Sequence, residues 1–316
     1  MSEIGFGCGN VGGLMIRGER PERLKAVARA MELGINYFDT AAMYGNGVSE
    51  QNLGDALNEL RPQVYVGTKV RLPEEDFGDI KGGIQRSVDA SLGRMARDSV
   101  DLIQLHNSIA EARQSGTTSL SVDDVLGQVV EAFEGLKAQG KVRYYGITGV
   151  GETSALHQVV ASGAVATVQT PYNLVNPSAG HQVPASFSLQ NHDGLIDVAG
   201  QHNVGVLVIR VLAGGALGGS EERHSLASPP PAPIGSSASY QEDADRARSV
   251  QFLVNEGHAG SLPEAAIRFA LAKPQVSSVL VGYSSMEQLE QSVEYHAKGP
   301  LSNEALTRLG QQWAEA

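Results

Sequence analysis

The sequence predicts an α/β fold of the closed (β/α)8 TIM-barrel type, organised as a single domain over residues 1–316. Three observations predict it. Short β-branched or aromatic runs alternate with amphipathic helical stretches, eight such pairs can be counted, and 316 residues is a usual length for a one-domain barrel. Alternation favours parallel strands, because each crossover helix returns the chain to the same edge.

In chain order the strand-like runs are Ile4–Cys8, Ile35–Asp39, Val64–Lys69, Val100–His106, Val142–Ile147, Ala166–Thr170, Gly205–Arg210 and Ser278–Gly282. Helical segments are expected near 21–33, 49–59, 80–95, 122–139, 153–162, 191–202, 262–272 and 286–297. The first has clear start and stop chemistry. Pro21 suits a first helical turn, Leu24, Val27, Ala28 and Met31 recur at helical spacing, and Gly34 ends the run. Long loops are expected after strand four (107–121) and after strand seven (211–241), both on the face where barrels build their sites. The stretch 228–240 contains Pro229, Pro230, Pro231 and Pro233, and reads equally as a functional loop or a stiff linker. A further helical piece at 243–256 is expected outside the barrel, and residues 300–316 have room for one more helix.

Charge and composition narrow the function. A formal net charge of −11 repels polyphosphate, so no nucleic-acid partner is expected. The single cysteine, Cys8, excludes an intramolecular disulfide. The longest apolar stretch, Val204 to Leu217, is too short to span a bilayer and is interrupted by Arg210. Met1 to Asn10 lack a basic segment followed by an apolar one. The expectation is a soluble, cytoplasmic protein without a membrane partner; oligomeric state is not legible. The eight histidines include no His-x-x-x-His pair, so no metal site is expected.

Gly7-Cys8-Gly9-Asn10-Val11-Gly12 matches G-x-G-x-x-G after a strand, with Asp39 ending the next one, the outline of a Rossmann fingerprint. In that motif the helix opens within the glycine run. Here it is expected only around Pro21, and the reading is rejected.

The chemistry-bearing set lies elsewhere. Asp39, Lys69 and His106 end strands two, three and four, and Tyr44 follows Asp39 by one short turn. In a barrel these ends converge on one pocket. A free phenol, with a pKa of about 10, is a poor proton donor near neutrality, and an adjacent ammonium favours its phenolate. Asp39 would keep Lys69 charged and oriented, and His106 would hold an incoming carbonyl oxygen. Tyr44 is then a general acid toward a carbonyl, or a base toward an alcohol. A protein has no hydride donor of its own, so a nicotinamide cofactor is implied.

The run Gly34-Ile35-Asn36-Tyr37-Phe38-Asp39-Thr40-Ala41-Ala42-Met43-Tyr44-Gly45, followed by Ser49-Glu50-Gln51-Asn52-Leu53-Gly54, resembles the signature of the aldo-keto reductase superfamily. Thr68-Lys69-Val70, Ser91-Leu92-Gly93-Arg94-Met95, Val100 to His106, Gly140 to Gly146 and Gln169 to Asn173 match in family order. The resemblance covers essentially the whole chain. It implies that Asp39, Tyr44, Lys69 and His106 form a catalytic tetrad with Tyr44 as proton donor, acting on a carbonyl/alcohol pair.

The resemblance also implies an extended dinucleotide across the barrel mouth. Thr148 and Gln169 would hold the nicotinamide carboxamide. Leu212, Gly214 and Gly215 would lie over the pyrophosphate, and Gly282, Ser284, Gln288, Gln291 and Ser292 on the adenosine side. Arg210 stands where an aromatic is common and would meet a phosphate or an anionic substrate. Thr148-Gly149 replaces a common Ser-Asn, and Gln291-Ser292 a common Glu-Asn. NADP(H) is the family default; the lack of Arg or Lys within 282–292 leaves NAD(H) open. The N-terminal hairpin common in the family is not expected, since the first strand starts at Ile4. Two other classes remain: a cofactor-binding redox-sensing or scaffold subunit with weak catalysis, and a lyase using Lys69 as a Schiff base. The polar loop 107–121, with Glu111 and Arg113, and nearby Arg210 favour a small polar or sugar-like carbonyl substrate.

Overall fold

The computed structural model describes residues 1–220 and 222–315. Eight parallel strands close into a barrel: β1 (Ile4–Gly7), β2 (Tyr37–Asp39), β3 (Tyr65–Val70), β4 (Val100–Leu105), β5 (Val142–Thr148), β6 (Thr167–Pro171), β7 (Gly205–Ile209) and β8 (Val276–Gly282). Each pairs with its sequence neighbours, and β8 closes on β1 through Ile4↔Val279 to Gly7↔Gly282. Eight helices cover the outside: α1 (Arg20–Glu32), α2 (Val48–Leu60), α3 (Ile80–Met95), α4 (Val130–Ala138), α5 (Thr153–Ala161), α6 (Leu195–Gln201), α7 (Leu262–Leu271) and α8 (Met286–Ala297). A final helix spans Asn303–Glu315. No hairpin precedes β1 among the described residues.

Strand alternation sorts the side chains. Phe6, Phe38, Val66, Val70, Ile103 and Ile147 point outward into the large core beneath the helices. Burying each such side chain contributes about 1.5–3 kcal/mol. The inward set is small: Tyr37, Leu102, Leu207 and Leu280, with Ile209 at its edge. Tyr37 needs Gly67 beside it, because a Cβ there would overlap the Tyr37 hydroxyl. This apolar plug fills the barrel; of the polar inward residues, Asp39 and Lys69 stand at strand C-terminal ends and Gln169 at the middle of β6.

Four local features differ from expectation. The helix near 191–202 starts only at Leu195, because Asp193 and Gly194 take φ of 49° and 69°. Residues 122–138 are helical throughout but loosen into a π turn at Val125–Val129. A one-turn helix, Leu14–Arg17, opens directly after Gly12-Gly13, well before Pro21. The glycine run nonetheless serves packing: a Cβ on Gly12 would overlap the Tyr283 backbone, to which the Leu14 amide donates at 3.1 Å. The loop after β4 carries a short parallel ladder, Ile109–Ala110 against Leu120–Ser121. Among the described residues no helix is long and apolar enough to cross a membrane.

Candidate active site

Asp39 is the last residue of β2, Lys69 the penultimate residue of β3, and His106 the first beyond β4. Asp39 pairs in register with Gly67, and Lys69 with Gln104, so the side chains reach one end of the barrel at similar depth. Lys69 Nζ donates to Asp39 Oδ1 and, at 2.8 Å, to the Thr40 carbonyl. The other carboxylate oxygen accepts from Gln169 Nε2 at 2.6 Å and from the Tyr37 hydroxyl at 3.2 Å. Four hydrogen bonds thus hold Asp39 and Lys69 in one arrangement, both buried.

Tyr44 comes from the loop that follows. Its amide donates to the Ala41 carbonyl at 3.0 Å, and its carbonyl accepts from the Ser49 amide at 3.2 Å. Gly45 and Gly47, at φ of 59° and 90°, turn the loop back into α2. Ser49 then anchors it, donating to the Cys8 carbonyl at 2.8 Å beside Thr40 Oγ1. Glu50, fully buried, is neutralised by Arg94 at 2.6 Å and accepts from Thr68. The ordered ring of Tyr44 has Lys69 Nζ 4.9 Å from its centroid and the His106 ring edge-on, with centroids 6.2 Å apart.

The electrostatics correct one expectation. Burial pushes the Tyr44 phenol above its ordinary pKa; Lys69 and Arg210 oppose that rise without cancelling it. Tyr44 is therefore a protonated phenol at neutrality, the form a proton donor needs. Burial pulls the Lys69 ammonium down, but the Asp39 carboxylate outweighs it and holds lysine charged. Burial, Lys69 and Arg71 together push His106 down to about 3, so its ring is neutral, and its buried Nδ1 has no partner among the described residues.

A cavity of about 340 Å³ opens between the loops after β7 and β8; none of the four cluster residues lines it, and Arg210 on its wall, whose charge acts on Tyr44, links it to the cluster. Nine residues expected on sequence grounds line it: Arg210, Leu212, Gly214, Gly215, Gly282, Ser284, Gln288, Gln291 and Ser292. Thr148 and Gln169 do not; they are buried on β5 and β6, in register with each other. Gln169 commits its amide N–H to Asp39, and the Thr148 hydroxyl donates to the Leu105 carbonyl at 3.1 Å. On the α8 side several polar groups are internally paired. Ser284 Oγ donates to Gly12 at 2.6 Å, Gln288 Oε1 accepts from the Ser284 amide at 2.8 Å, and Ser292 pairs with Tyr283 at 2.8 Å.

Residues that sequence reading missed complete the picture. Arg223 lines the cavity and donates to the carbonyls of Gly214 (3.1 Å) and Ser228 (2.8 Å), which engages no carboxylate. Asn173 pins the carbonyl of Arg210, a residue at φ of 56°. The Pro-rich stretch is not a free linker: Pro231 packs on Gly214, and Gly235 accepts from Asn176. Asn107 and the charged residues of loop 107–121 are engaged within the protein. Asn107 bonds Leu72 and Thr118, Arg113 pairs with Asp124, and Glu111 with Gln158. No sequence signal distinguishes these partners, since each is set by long-range packing.

Lys69 is tied to Asp39 and Thr40, which disfavours a free amine for Schiff-base work and leaves acid–base chemistry next to a glycine-lined, cationic cavity. That combination at a barrel mouth defines an oxidoreductase dependent on a nicotinamide nucleotide. The chain belongs to the Aldo/keto reductase family, whose model matches residues 3–314. It is 27% identical to the uncharacterized oxidoreductase YqkF of Bacillus subtilis over 98% of this chain and 92% of that protein. L-galactose dehydrogenase of Arabidopsis thaliana is 30% identical, over 93% of this chain and 83% of the relative. The holo form of aldo-keto reductase AKR11C1 from Bacillus halodurans superposes with a TM-score of 0.71 at 27% identity, covering 100% and 93% of the two chains.

Proposed function

We propose that the protein interconverts a small polar carbonyl compound and its alcohol, with Tyr44 as the group that moves the proton. The observation that carries this reading is the Asp39–Lys69–Tyr44–His106 cluster beside the cavity. The cavity suits a dinucleotide on two counts. Arg210 and Arg223 meet no carboxylate within salt-bridge range among the described residues. Gly214, at φ of 68°, has no room for a side chain between Pro231 and Arg210. Both features favour phosphate oxygens. Arg210, Leu212, Gly214 and Gly215 would then face the diphosphate, and Gly282, Ser284, Gln288, Gln291 and Ser292 the adenosine. Thr148 and Gln169 would lie nearest the nicotinamide. The chemistry a reduced nicotinamide supplies when bound is hydride to the carbonyl carbon.

The chain's residues do the rest. His106, neutral, offers one ring N–H to the substrate oxygen. As the C–H bond forms, the carbonyl π pair moves to oxygen, and Tyr44 gives that oxygen its proton. Lys69 stabilises the phenolate that remains, and Asp39, fixed by Gln169 and Tyr37, keeps Lys69 aimed. In the oxidative direction the same phenolate takes the proton, so oxidation should quicken as pH rises above neutrality. Aldo-keto reductases of Klebsiella pneumoniae are solved in complex with NADPH and with NADP, which favours NADP(H) as the partner nucleotide. The neutral α8 side of the cavity keeps NAD(H) in play.

Two measurements test the reading. Fluorescence titration with NADPH and NADH side by side should show saturable binding of at least one. Tyr44→Phe should keep that binding and lose about 10²–10⁴-fold in aldehyde reduction. A Tyr44→Phe enzyme with unchanged turnover contradicts the assignment.

A further inference from the structure

One cation at the barrel mouth pairs with no member of the cluster and does not line the cavity. Arg71 is the first residue beyond β3, two past Lys69, and its side chain is exposed. Its guanidinium bridges two rim loops: Nη1 lies 3.6 Å from the Met43 sulfur, next to Tyr44, and Nη2 donates to Thr118 Oγ1 at 2.9 Å. A thioether and a hydroxyl are weak, neutral acceptors for a group with five N–H donors. Neighbouring arginines are treated differently. Arg94 is neutralised by Glu50 at 2.6 Å, and Arg113 Nε meets Asp124 at 2.6 Å. Arg71 also does not line the cavity between β7 and β8, where Arg210 and Arg223 stand. A protein of net charge −11 therefore leaves on the rim a guanidinium that meets no carboxylate among the described residues, within electrostatic reach of His106 and on the β3 side of the mouth, away from the β7–β8 cavity.

We propose that Arg71 selects carbonyl substrates bearing an oxoanion, a carboxylate or a phosphate, on the portion of the molecule beyond the reacting carbon. The inference rests on the Tyr44 reading and specifies its substrate class. The planar guanidinium can exchange its two neutral contacts for a bidentate pair with two anion oxygens. The anion would be held between the loops carrying Met43 and Thr118, with the carbonyl between Tyr44 and His106. Arg71 is a specificity residue in this account, and the proton still comes from Tyr44.

The test uses matched aldehydes: 4-oxobutanoate against butanal, and glyceraldehyde 3-phosphate against glyceraldehyde. Steady-state kcat and KM are measured for the wild type, Arg71→Met and Arg71→Lys, with NADPH or NADH, whichever binds. The wild type should favour the charged member of at least one pair by about tenfold or more in kcat/KM. The favoured pair tells carboxylate from phosphate. Arg71→Met should collapse that ratio toward one, chiefly through KM of the charged member, and Arg71→Lys should keep part of it. Because a ratio is read, any common effect of the substitution through His106 cancels. Added salt should raise KM for the charged member alone. No charge preference in the wild type, or a preference that survives Arg71→Met, overturns the role of Arg71 while leaving that of Tyr44 intact. Inactivity toward all four aldehydes by enzyme with bound nucleotide overturns both.

Discussion

The two halves of the barrel mouth are built on opposite plans. On the β2–β4 side the buried ionised groups are matched inside the protein: Asp39 with Lys69, Gln169 and Tyr37, and Glu50 with Arg94 and Thr68. On the β7–β8 side Arg210 and Arg223 are held by backbone geometry instead, among residues at positive φ such as Arg210, Ala213, Gly214 and Gly215. The first half keeps reacting groups in place before any substrate arrives. The second holds two cations that meet no carboxylate within salt-bridge range among the described residues. Under the proposed function, preorganisation sits where the proton would move and the cations where phosphates would bind.

Breaking the matched half should cost most. Asp39→Asn leaves the Lys69 ammonium buried beside neutral partners, and urea unfolding should report a loss of about 3–5 kcal/mol. A loss below about 1 kcal/mol would mean that the pair is not held as tightly as its partners imply. In the unmatched half, Arg223→Gln should leave stability nearly unchanged and weaken nucleotide binding about tenfold by fluorescence titration. If stability falls and affinity does not, the contrast between the halves fails.

Acid should sharpen the comparison. His106 and His192 are held near 3 and 4 by burial, below the roughly 6.5 of an unfolded histidine. Between those values the unfolded chain binds more protons than the folded one, so stability falls as pH falls, by about 1.4 kcal/mol per unit for each histidine. Thermal melts from pH 7 to about pH 4 measure the slope. His192, buried against Gly235 and remote from Tyr44, gives the control: His192→Gln should flatten the slope by one histidine's share. The smallest effect is expected for Tyr37→Phe, which removes a single 3.2 Å bond to Asp39 and should cost about 1 kcal/mol.

How much of this was legible follows the same division. Strand ends are written locally, so the eight strands and the positions of Asp39, Lys69 and His106 at three of those ends could be read from β-branched runs. Tyr44 followed from the turn after Asp39. Partners set by closure of the barrel could not be read: Gln169 reaches Asp39 across 130 positions, and Tyr37 depends on Gly67 being bare. The net direction of the Tyr44 shift is not legible in the sequence for a related reason. Lysine proximity can be inferred from strand order, but the depth of burial that outweighs it appears only in three dimensions. Loop 107–121 looked like a polar substrate wall, yet its charged residues pair within the protein, and the rim cation comes from Arg71 at the end of β3.

The central claim is that Tyr44 delivers a proton beside a bound reduced nicotinamide. The most direct check is a single-turnover experiment: wild type and Tyr44→Phe, each saturated with reduced nucleotide, are mixed with excess aldehyde while nicotinamide absorbance is followed. The account predicts equal nucleotide occupancy, rapid oxidation in the wild type, and oxidation slowed at least about a hundredfold in the variant. Equal oxidation rates in the two proteins would contradict it.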